Sequence, residues 1–410
     1  MQRRLSASSA CAALVLAPVF IASALMAAEK LPAASSGTIA AALEPYLENH
    51  TLAGAVTLIA GKDSILDVET VGFADIAAKK PVRADALFWI ASMSKPITAS
   101  ALMMLVDEGK VNPDDPVEKY LPEFHGEWLA VEQDKDHMLL RHPRHPITVK
   151  NILTHTSGLP ATSAMEKPTL DLLRLRDAVK SYAMTPLLFE PDSKYQYANA
   201  GINTAGRIIE VVSGIPYEEF LQKRLFDPLG MTDTTFWPNE KQLRRLAKSY
   251  KSNAEKKELE ETDINQLRYP LNDRSRQPMP AGGLFSTAHD LARFCQMVMN
   301  GGVFAGKRFL SEAAVAKMTS VETGDIQING NGGTGYGFGW SVLRRPAADG
   351  RAAGSYGHGG AYKTAMWIDP AKQLVMILLR QHSGPFLTPD GNKLEGVFLK
   401  AAIDKYGTRP

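Results

Sequence analysis

The hydrophobic pattern near the start of the chain changes from helical to strand spacing. Within residues 38–49, apolar side chains recur about every fourth position, which predicts an amphipathic helix. Residues 55–60 and 64–71 are then rich in β-branched and apolar side chains, and a polar turn at Gly61 separates them. This arrangement predicts a β-hairpin directly after the first helix.

The next helical pattern is apolar nearly all round. It carries Ser92 near its start and ends at Gly109, and glycine commonly terminates a helix. Its apolar positions are Ile97, Ala101, Leu102, Met104, Leu105 and Val106. A helix that is apolar on every side is normally buried, so we expect this one in the middle of the protein.

Helical patterns dominate residues 110–240, and strand patterns return near the C-terminal end. Residues 241–278 are heavily charged, which predicts an exposed insertion. Strands are predicted at 362–368 and 374–379, and an amphipathic helix at 393–405. The predicted class is α/β of the α+β type. It has a central antiparallel sheet built from both ends of the chain, flanking N- and C-terminal helices, and an inserted, mostly helical lobe.

The first residues have the features of a secretory signal. Two arginines precede an apolar stretch over residues 10–26, and small residues follow it. This pattern predicts a signal peptide at residues 1–28 and a periplasmic or secreted protein. The alternative is a membrane anchor, but the apolar core is short for a spanning helix and contains Pro18. Residues 29–410 are predicted to form one domain of two lobes, without a stable membrane anchor.

Composition narrows the classes of function. The chain has 410 residues, of which 45% are hydrophobic and 22% charged, with a formal net charge of +2. A large core is expected, and the interspersed charges do not suggest a nucleic-acid surface. Cys11 lies in the predicted signal, so Cys295 is left alone and no disulfide can form within the mature chain. The apolar helical pattern around Cys295 predicts a buried small side chain rather than a nucleophile.

Ser92 and Lys95 are the first candidates for chemistry. A serine three residues before a lysine places both side chains on one face of a helix, one turn apart. A hydroxyl is a poor nucleophile until a neighbouring amine accepts its proton. The pair therefore indicates a serine nucleophile, although a chain of this size contains roughly one such spacing by chance.

Tyr197 and Asn199 form the only Tyr-x-Asn of the chain. The Tyr197 phenol can move a proton if a neighbouring cation, such as Lys95, lowers its pKa. The Asn199 side chain can donate to a substrate carbonyl and accept from the lysine. The alternative interpretation is a loop tyrosine and a turn asparagine without a role in catalysis.

A glycine-rich run over residues 356–361 stands directly before a predicted strand. Consecutive glycines beside a strand let a ligand or another backbone approach closely. A backbone N–H group of this run, together with that of Ser92, can form an oxyanion hole. A purely structural role for the glycines is the alternative.

Taken in order, the three motifs resemble the serine β-lactamase-like superfamily, whose pattern is S-x-x-K, Y-x-N, and K-T-G or H-x-G. Its members include class C β-lactamases, family VIII carboxylesterases and D-alanyl-D-alanine carboxypeptidases. The segments at 151–160 and 281–290 are also similar to this family. The resemblance extends over about residues 40–405 and implies a β-lactamase/transpeptidase-like fold.

The resemblance also implies roles for individual residues. Ser92 is implied as the acylated nucleophile, and Lys95 as its base or as the cation that tunes Tyr197. Tyr197 is implied to exchange protons with Ser92, the leaving group and water, so the identity of the base stays open. The implied substrate-binding residues are Asn199, His358, Gly359, Gly360 and Ala361, with the N–H groups of Ser92 and Ala361 holding the oxyanion.

One position departs from the family pattern. His358 and Gly359 stand where β-lactamases and D,D-peptidases usually have a lysine and a threonine that bind the substrate carboxylate. A histidine is mostly neutral at pH 7, and glycine has no hydroxyl. A rival register at residues 363–365 has Lys-Thr but lacks the glycine.

Because H-x-G is common among the esterase-like members, the resemblance implies hydrolysis of small carboxylic esters through an acyl-enzyme. The runner-up is β-lactam hydrolysis or cleavage of D-amino-acid peptides or amides at the same site. A more distant alternative is a non-catalytic penicillin-binding or sensor protein.

Other enzyme classes find little support in the sequence. The chain has no G-x-S-x-G nucleophile elbow, which argues against an ordinary α/β-hydrolase. His142 and His145 have a proline between them and no acidic or cysteine partner at ligand spacing, which predicts a solvated loop rather than a metal site. We therefore expect no metal and no organic cofactor, and a small-molecule ester or amide as the binding partner.

Overall fold

The computed structural model describes residues 38–255, 257–328, 330 and 332–407. The predicted signal peptide at residues 1–28 lies outside this part of the chain. Among the described residues, no helix is both long enough and apolar enough to span a membrane.

The helices and strands of the described residues come in runs along the chain. The α-helices are α1 (Thr38–Glu48), α2 (Ser94–Asp107), α3 (Val149–Thr154), α4 (Leu175–Ala183), α5 (Asn199–Ser213), α6 (Tyr217–Leu221), α7 (Asp227–Leu229), α8 (Glu240–Leu243), α9 (Ala288–Met299), α10 (Glu312–Thr319) and α11 (Leu394–Tyr406). The strands are β1 (Gly54–Ala60), β2 (Ile65–Asp75), β3 (Lys80–Pro81), β4 (Phe88–Trp89), β5 (Leu129–Gln133), β6 (Met138–Arg141), β7 (Ser249–Asn253), β8 (Glu258–Thr262), β9 (Phe285–Ser286), β10 (Val303–Phe304), β11 (Lys307–Arg308), β12 (Thr334–Tyr336), β13 (Ser341–Leu343), β14 (Tyr356–Gly359), β15 (Ala365–Asp369), β16 (Leu374–Leu379) and β17 (His382–Ser383).

The main sheet has eight strands in the order β12-β13-β14-β15-β16-β1-β2-β3, and neighbouring strands are antiparallel. β1 and β2 form the predicted hairpin. On its other edge β1 pairs with β16, so that Val56 lies opposite Leu379. The prediction of one antiparallel sheet built from both ends of the chain is confirmed.

Helices cover both faces of this sheet, and β16 shows how the faces are divided. All six residues of β16 are buried. Val375, Ile377 and Leu379 face the larger core, which also holds α2, α5 and α9. Leu374, Met376 and Leu378 face the layer formed by α1 and α11. Because side chains alternate along a strand, an unbroken apolar run marks a strand that is covered on both faces.

The α2 helix is buried, as its pattern predicts. Every residue from 94 to 105 lies in the interior. Ser92 does not belong to α2 itself, because it lies on a single 3-10 turn over Ala91–Met93. This turn follows β4 directly, and Ala91 adopts a left-handed φ of +45°.

Two predictions near the C-terminal end need correction. The glycine-rich run does not merely precede a strand, because its first four residues form β14 itself. The strand predicted at 362–368 begins only at Ala365, because the preceding residues form a tight turn. In that turn the Gly360 N–H donates to the Thr364 carbonyl at 2.7 Å, and Lys363 has a φ of +66°.

The charged segment at 241–278 is exposed only in part. β7 and β8 form a hairpin with mostly exposed or half-buried side chains. Beyond the hairpin, three apolar residues pack in a buried cluster with Trp89: Ile264, Leu267 and Leu271. Arg276 makes a buried ion pair with Asp171 at 2.7 Å. The segment is therefore not the fully exposed insertion that the charge pattern predicts, because the apolar residues between its exposed polar ones join the core.

Candidate active site

Ser92 and Lys95 are in direct contact. The Ser92 Oγ lies 3.0 Å from the Lys95 Nζ. The 3-10 turn runs straight into α2, so the two side chains still lie one turn apart, as the sequence predicts. Lys95 is fully buried, whereas Ser92 is only half-buried and lines an open cavity. The hydroxyl is therefore within reach of a substrate, and the amine lies behind it.

The other contacts of the Lys95 amine constrain its hydrogen atoms. Its Nζ lies 2.9 Å from the Asn199 Oδ1 and 2.7 Å from the Ala281 carbonyl oxygen. Both of these oxygens can only accept, whereas the Ser92 hydroxyl can also donate. A neutral amine has two hydrogens and one lone pair. If it donates to Asn199 and Ala281, its lone pair faces the Ser92 hydroxyl.

Burial favours this neutral form of Lys95. Its surroundings lower the pKa of the Lys95 amine well below the ordinary value of 10.5, because a charged ammonium loses its hydration there. A neutral amine beside a hydroxyl is the arrangement that general-base activation of a serine requires.

Tyr197 lies over the same amine. Its ring centroid is 4.6 Å from the Lys95 Nζ, and its hydroxyl hydrogen-bonds with Ser92. Although 38% of Tyr197 is exposed, the protein packed around its phenol raises the pKa of Tyr197 above the ordinary value of 10. The prediction that Lys95 lowers the pKa of Tyr197 is wrong, because desolvation outweighs any effect of the lysine.

The α5 helix supplies two asparagines to this site, and sequence analysis identified only the first. Asn203 lies one turn after Asn199, and its Oδ1 accepts the Ala281 N–H at 3.0 Å. Its Nδ2 donates to the Tyr182 hydroxyl at 2.9 Å. Asn203 thus holds Ala281, the residue whose carbonyl contacts Lys95. The i, i+4 spacing of two asparagines on one helix is the signal that could have found it.

A cavity of about 510 Å³ lies over Ser92. Its lining residues are Ser92, Tyr195, Tyr197, Ile328, Thr334, Tyr336, Ser341, His358, Gly359, Gly360 and Ala361. The structure therefore brings the predicted strand residues to the nucleophile and adds Tyr195 and Tyr336, which the sequence did not indicate. Among the described residues that line this cavity, none is a lysine, arginine, aspartate or glutamate.

The rival register at residues 363–365 does not reach the cavity. The Lys363 amine lies 5.4 Å from the centre of the Phe386 ring instead. Thr364 lies behind the strand edge, where its Oγ1 is 3.4 Å from the Ile90 carbonyl oxygen. His358 and the two glycines after it therefore occupy the edge beside Ser92.

His358 is a neutral side chain in this structure. Its Nε2 lies 2.9 Å from the Tyr336 hydroxyl, and its Nδ1 lies 2.7 Å from the Gly359 carbonyl oxygen. Burial lowers the pKa of His358 to about 3. The imidazole therefore supplies no positive charge at pH 7.

Gly360 brings the edge of β14 close to the segment that carries Ser92. A Cβ added at Gly360 would lie 2.5 Å from the Ile90 carbonyl oxygen and 2.2 Å from the Thr364 Oγ1. The position therefore requires glycine. Because the Gly360 N–H is bonded to Thr364, the next N–H group available to a substrate along this edge is that of Ala361.

Features elsewhere do not compete with this site. A second cavity, of about 540 Å³, lies around the base of the β7–β8 hairpin, and its lining includes neither Ser92 nor any residue of the three motifs. Cys295 is buried, as predicted, with its Sγ 3.7 Å from the Met366 Sδ. His142 stacks on Trp128 with ring centroids 4.1 Å apart. Within the described residues, no group of three or more potential metal ligands comes together.

Comparison with known proteins agrees with this geometry. The family model named Beta-lactamase matches residues 39–396. Esterase EstB of Burkholderia gladioli is 29% identical over 83% of this chain and 88% of its own length. Penicillin-binding protein 4 of Amycolatopsis lactamdurans is 30% identical over 68% of this chain and 67% of its own length.

Solved structures show the same fold. EstCE1, described as a hydrolase with promiscuous acyltransferase activity, superimposes with a TM-score of 0.75. The superposition covers 89% of this chain and 97% of EstCE1, at 24% sequence identity. With the matching family model and relatives, this shows that the chain belongs to the Beta-lactamase family, within the serine β-lactamase-like superfamily.

Proposed function

We propose that this hydrolase of the β-lactamase fold cleaves small, uncharged carboxylic esters through an acyl-enzyme on Ser92. The observation that carries the proposal is the uncharged cavity over the nucleophile, in which His358 is neutral. Recognition of a substrate carboxylate is strongest with a cationic donor, and the described lining offers none. The aromatic and glycine lining instead suits an uncharged acyl group.

The proposed reaction begins when the neutral Lys95 amine takes the proton of Ser92. The Ser92 Oγ attacks the ester carbonyl carbon, and the N–H groups of Ser92 and Ala361 hold the resulting oxyanion. Tyr197 is protonated at pH 7 and donates its proton to the leaving alcohol, and Lys95 then returns a proton to Tyr197.

Collapse of the tetrahedral intermediate that carries this oxyanion breaks the bond between the carbonyl carbon and the alcohol oxygen and leaves an acyl group on Ser92. A water molecule then loses a proton to the neutral Lys95 amine and attacks the acyl carbon. When this second intermediate collapses, the bond to the Ser92 Oγ breaks, Lys95 returns the proton to that oxygen, and the acid product leaves.

Replacement of the nucleophile tests the proposal directly. We expect Ser92→Ala to reduce turnover of p-nitrophenyl butyrate by about 10³-fold or more, because no other group can be acylated. Ser100→Ala is the matched control, since it removes a serine hydroxyl from the neighbouring α2, where the Ser100 Oγ contacts the Met318 sulfur rather than the site. Undiminished activity of Ser92→Ala would refute the assignment.

Amide chemistry is the second candidate, and the similarity to a penicillin-binding protein favours it. We would compare kcat/KM for p-nitrophenyl butyrate, nitrocefin and a D-alanyl-D-alanine peptide. The ester should be the best substrate, and a higher value for nitrocefin or the peptide would favour the second candidate. Stoichiometric acylation without turnover would instead indicate a binding or sensor protein.

We also propose that the protein is exported, on the basis of the signal pattern at residues 1–28. N-terminal sequencing of the protein from the cell envelope or the medium should give a start near residue 28. An intact N-terminus on protein confined to the cytoplasm would contradict this.

A further inference from the structure

Three buried rings form a hydrogen-bonded chain beside the cavity. The His155 Nε2 lies 3.3 Å from the Tyr336 hydroxyl oxygen, which lies 2.9 Å from the His358 Nε2. Each of the three residues is at least 94% buried. His155 and Tyr336 have no place in the proton transfers among Ser92, Lys95 and Tyr197.

The ends of this chain determine where its protons lie. The Ala198 N–H donates to the His155 Nδ1 at 3.2 Å, and the Gly359 carbonyl faces the His358 Nδ1 at 2.7 Å. A backbone N–H only donates and a carbonyl only accepts. Both imidazoles are neutral at pH 7, because burial lowers the pKa of each. His155 therefore carries its proton on Nε2, and His358 carries its proton on Nδ1.

The Tyr336 hydroxyl completes the chain. It accepts from the His155 Nε2–H and donates to the His358 Nε2, so all four hydrogen bonds run in one direction. The chain begins at Ala198, between Tyr197 and Asn199, and it ends at Gly359, beside Gly360 on the strand edge. It thus links the segment that carries Tyr197 to the strand edge at Gly359, and both of these residues line the cavity over Ser92.

We propose that Tyr336 and His155 are positioning residues that hold the His358 ring with its Nδ1–H on the Gly359 carbonyl and thereby keep the strand edge in place. Loss of the Tyr336 hydroxyl leaves a buried donor on His155 and a buried acceptor on His358 without partners. The His358 ring then keeps a fixed contact only at Nδ1 and can tilt, which moves the Gly359 carbonyl and the strand edge. The proposal rests on the proposed function only for its kinetic readout.

The direct test is nitrogen NMR of the full chain labelled with ¹⁵N-histidine, in which the shifts of Nδ1 and Nε2 identify the protonated nitrogen. We expect a pure Nδ1–H tautomer for His358, with its signals identified by their loss in His358→Gln. Tyr336→Phe should shift the signal of the unprotonated His358 Nε2, because that nitrogen loses its hydrogen-bond donor, and an unchanged signal would overturn the proposal. Tyr356→Phe is the matched control, because it removes a buried hydroxyl from β14 and should leave the His358 signals unchanged.

The kinetic test uses the same variants. Tyr336→Phe should lower kcat for p-nitrophenyl butyrate by roughly 10- to 100-fold with little change in KM, as expected for a misplaced oxyanion site. Wild-type protein with the proton of His358 on Nε2 would overturn the proposal, as would Tyr336→Phe with undiminished kcat. The tautomer is measured on the wild-type protein and does not need turnover. A wild-type protein with the expected tautomers but no ester hydrolysis would therefore refute the proposed function alone.

Discussion

The Lys95 amine has two partners that only accept hydrogen bonds and a third, Ser92, that can donate. In a neutral amine, the two acceptors therefore orient the lone pair. The same surroundings that withhold water from the amine also remove the charge that would block proton transfer. Asn199 thus acts on the nucleophile through the lysine, by its hydrogen bond to the amine.

Asn199→Asp tests this arrangement. A carboxylate beside Lys95 stabilises the ammonium form, so the pKa of Lys95 rises. Activity requires the neutral amine and is lost as the pH falls through that pKa. The acid limb of the kcat/KM profile for p-nitrophenyl butyrate should therefore move up by about one pH unit or more.

The control for this profile adds the same charge elsewhere. Asn112→Asp changes an exposed asparagine outside the site, and its pH profile should match that of the wild type. An acid limb that stays in place in Asn199→Asp would show that Lys95 is not the group whose proton governs the rate.

A variant of His358 tests whether this residue causes the proposed preference for uncharged esters. His358→Lys places an amine on the strand edge, where the family pattern has the lysine that binds carboxylates. The ratio of kcat/KM for p-nitrophenyl butyrate to that for nitrocefin, which carries a carboxylate, should fall by about tenfold, or about 1.4 kcal/mol. An unchanged ratio would mean that His358 does not set the preference.

At the scale of elements, the site depends on how closely β14 approaches the turn that carries Ser92. Gly360→Ala would force a Cβ against the Ile90 carbonyl, whereas a Cβ at Gly359 would meet only the Thr364 carbonyl, at 3.5 Å. Gly360→Ala should therefore lower the free energy of unfolding by roughly 1–3 kcal/mol, and Gly359→Ala by clearly less. Urea denaturation of the two variants measures this difference, and equal losses would contradict the close approach.

The sequence could predict the elements whose hydrophobic pattern extends over many residues. The first hairpin, the buried α2 and the final helix all have such a pattern, and the structure contains them. β14 has only four residues, two of them glycines, so no alternation marks it as a strand. The sequence did not predict the 3-10 turn at Ser92. A turn of three residues is too short for its 3.0 residues per turn to be distinguished from the 3.6 of the α-helix that follows.

The candidate site could be predicted only where its residues form local motifs. Ser92 with Lys95 and Tyr197 with Asn199 each lie within four residues of one another, and the structure brings both pairs together. His155 and Tyr336 are 181 positions apart in the sequence, so no local motif predicts their contact. Long-range hydrogen bonds of this kind depend on the packed fold, which composition and periodicity do not describe.

At the scale of the whole molecule, buried neutral histidines make folding sensitive to acid. The pKa of His358 is about 3 in the folded protein, against 6.5 for an ordinary histidine. Between these values the unfolded chain binds the extra proton, so His358 lowers stability as the pH falls from about 6.5 towards 3. Buried carboxyls such as Asp290, whose pKa rises to about 6, act in the opposite sense.

Comparison with His358→Gln isolates the contribution of this residue. Over that pH range, the free energy of unfolding of the wild type should fall faster than that of the variant by about 1.4 kcal/mol per pH unit. Urea titrations at pH 7, 6, 5 and 4 would measure the two slopes. Parallel slopes would indicate that His358 is protonated in the folded protein.

The pairing of Val56 with Leu379 has a consequence for synthesis on the ribosome. β1 and β2 emerge early, but the other edge of β1 stays open until β16 has been made. An open apolar strand edge is prone to aggregate, so the growing chain has to be shielded for most of its translation. The core around α2 is completed by the same late strand, and a ribosome-bound chain therefore carries Ser92 and Lys95 long before it has an active site.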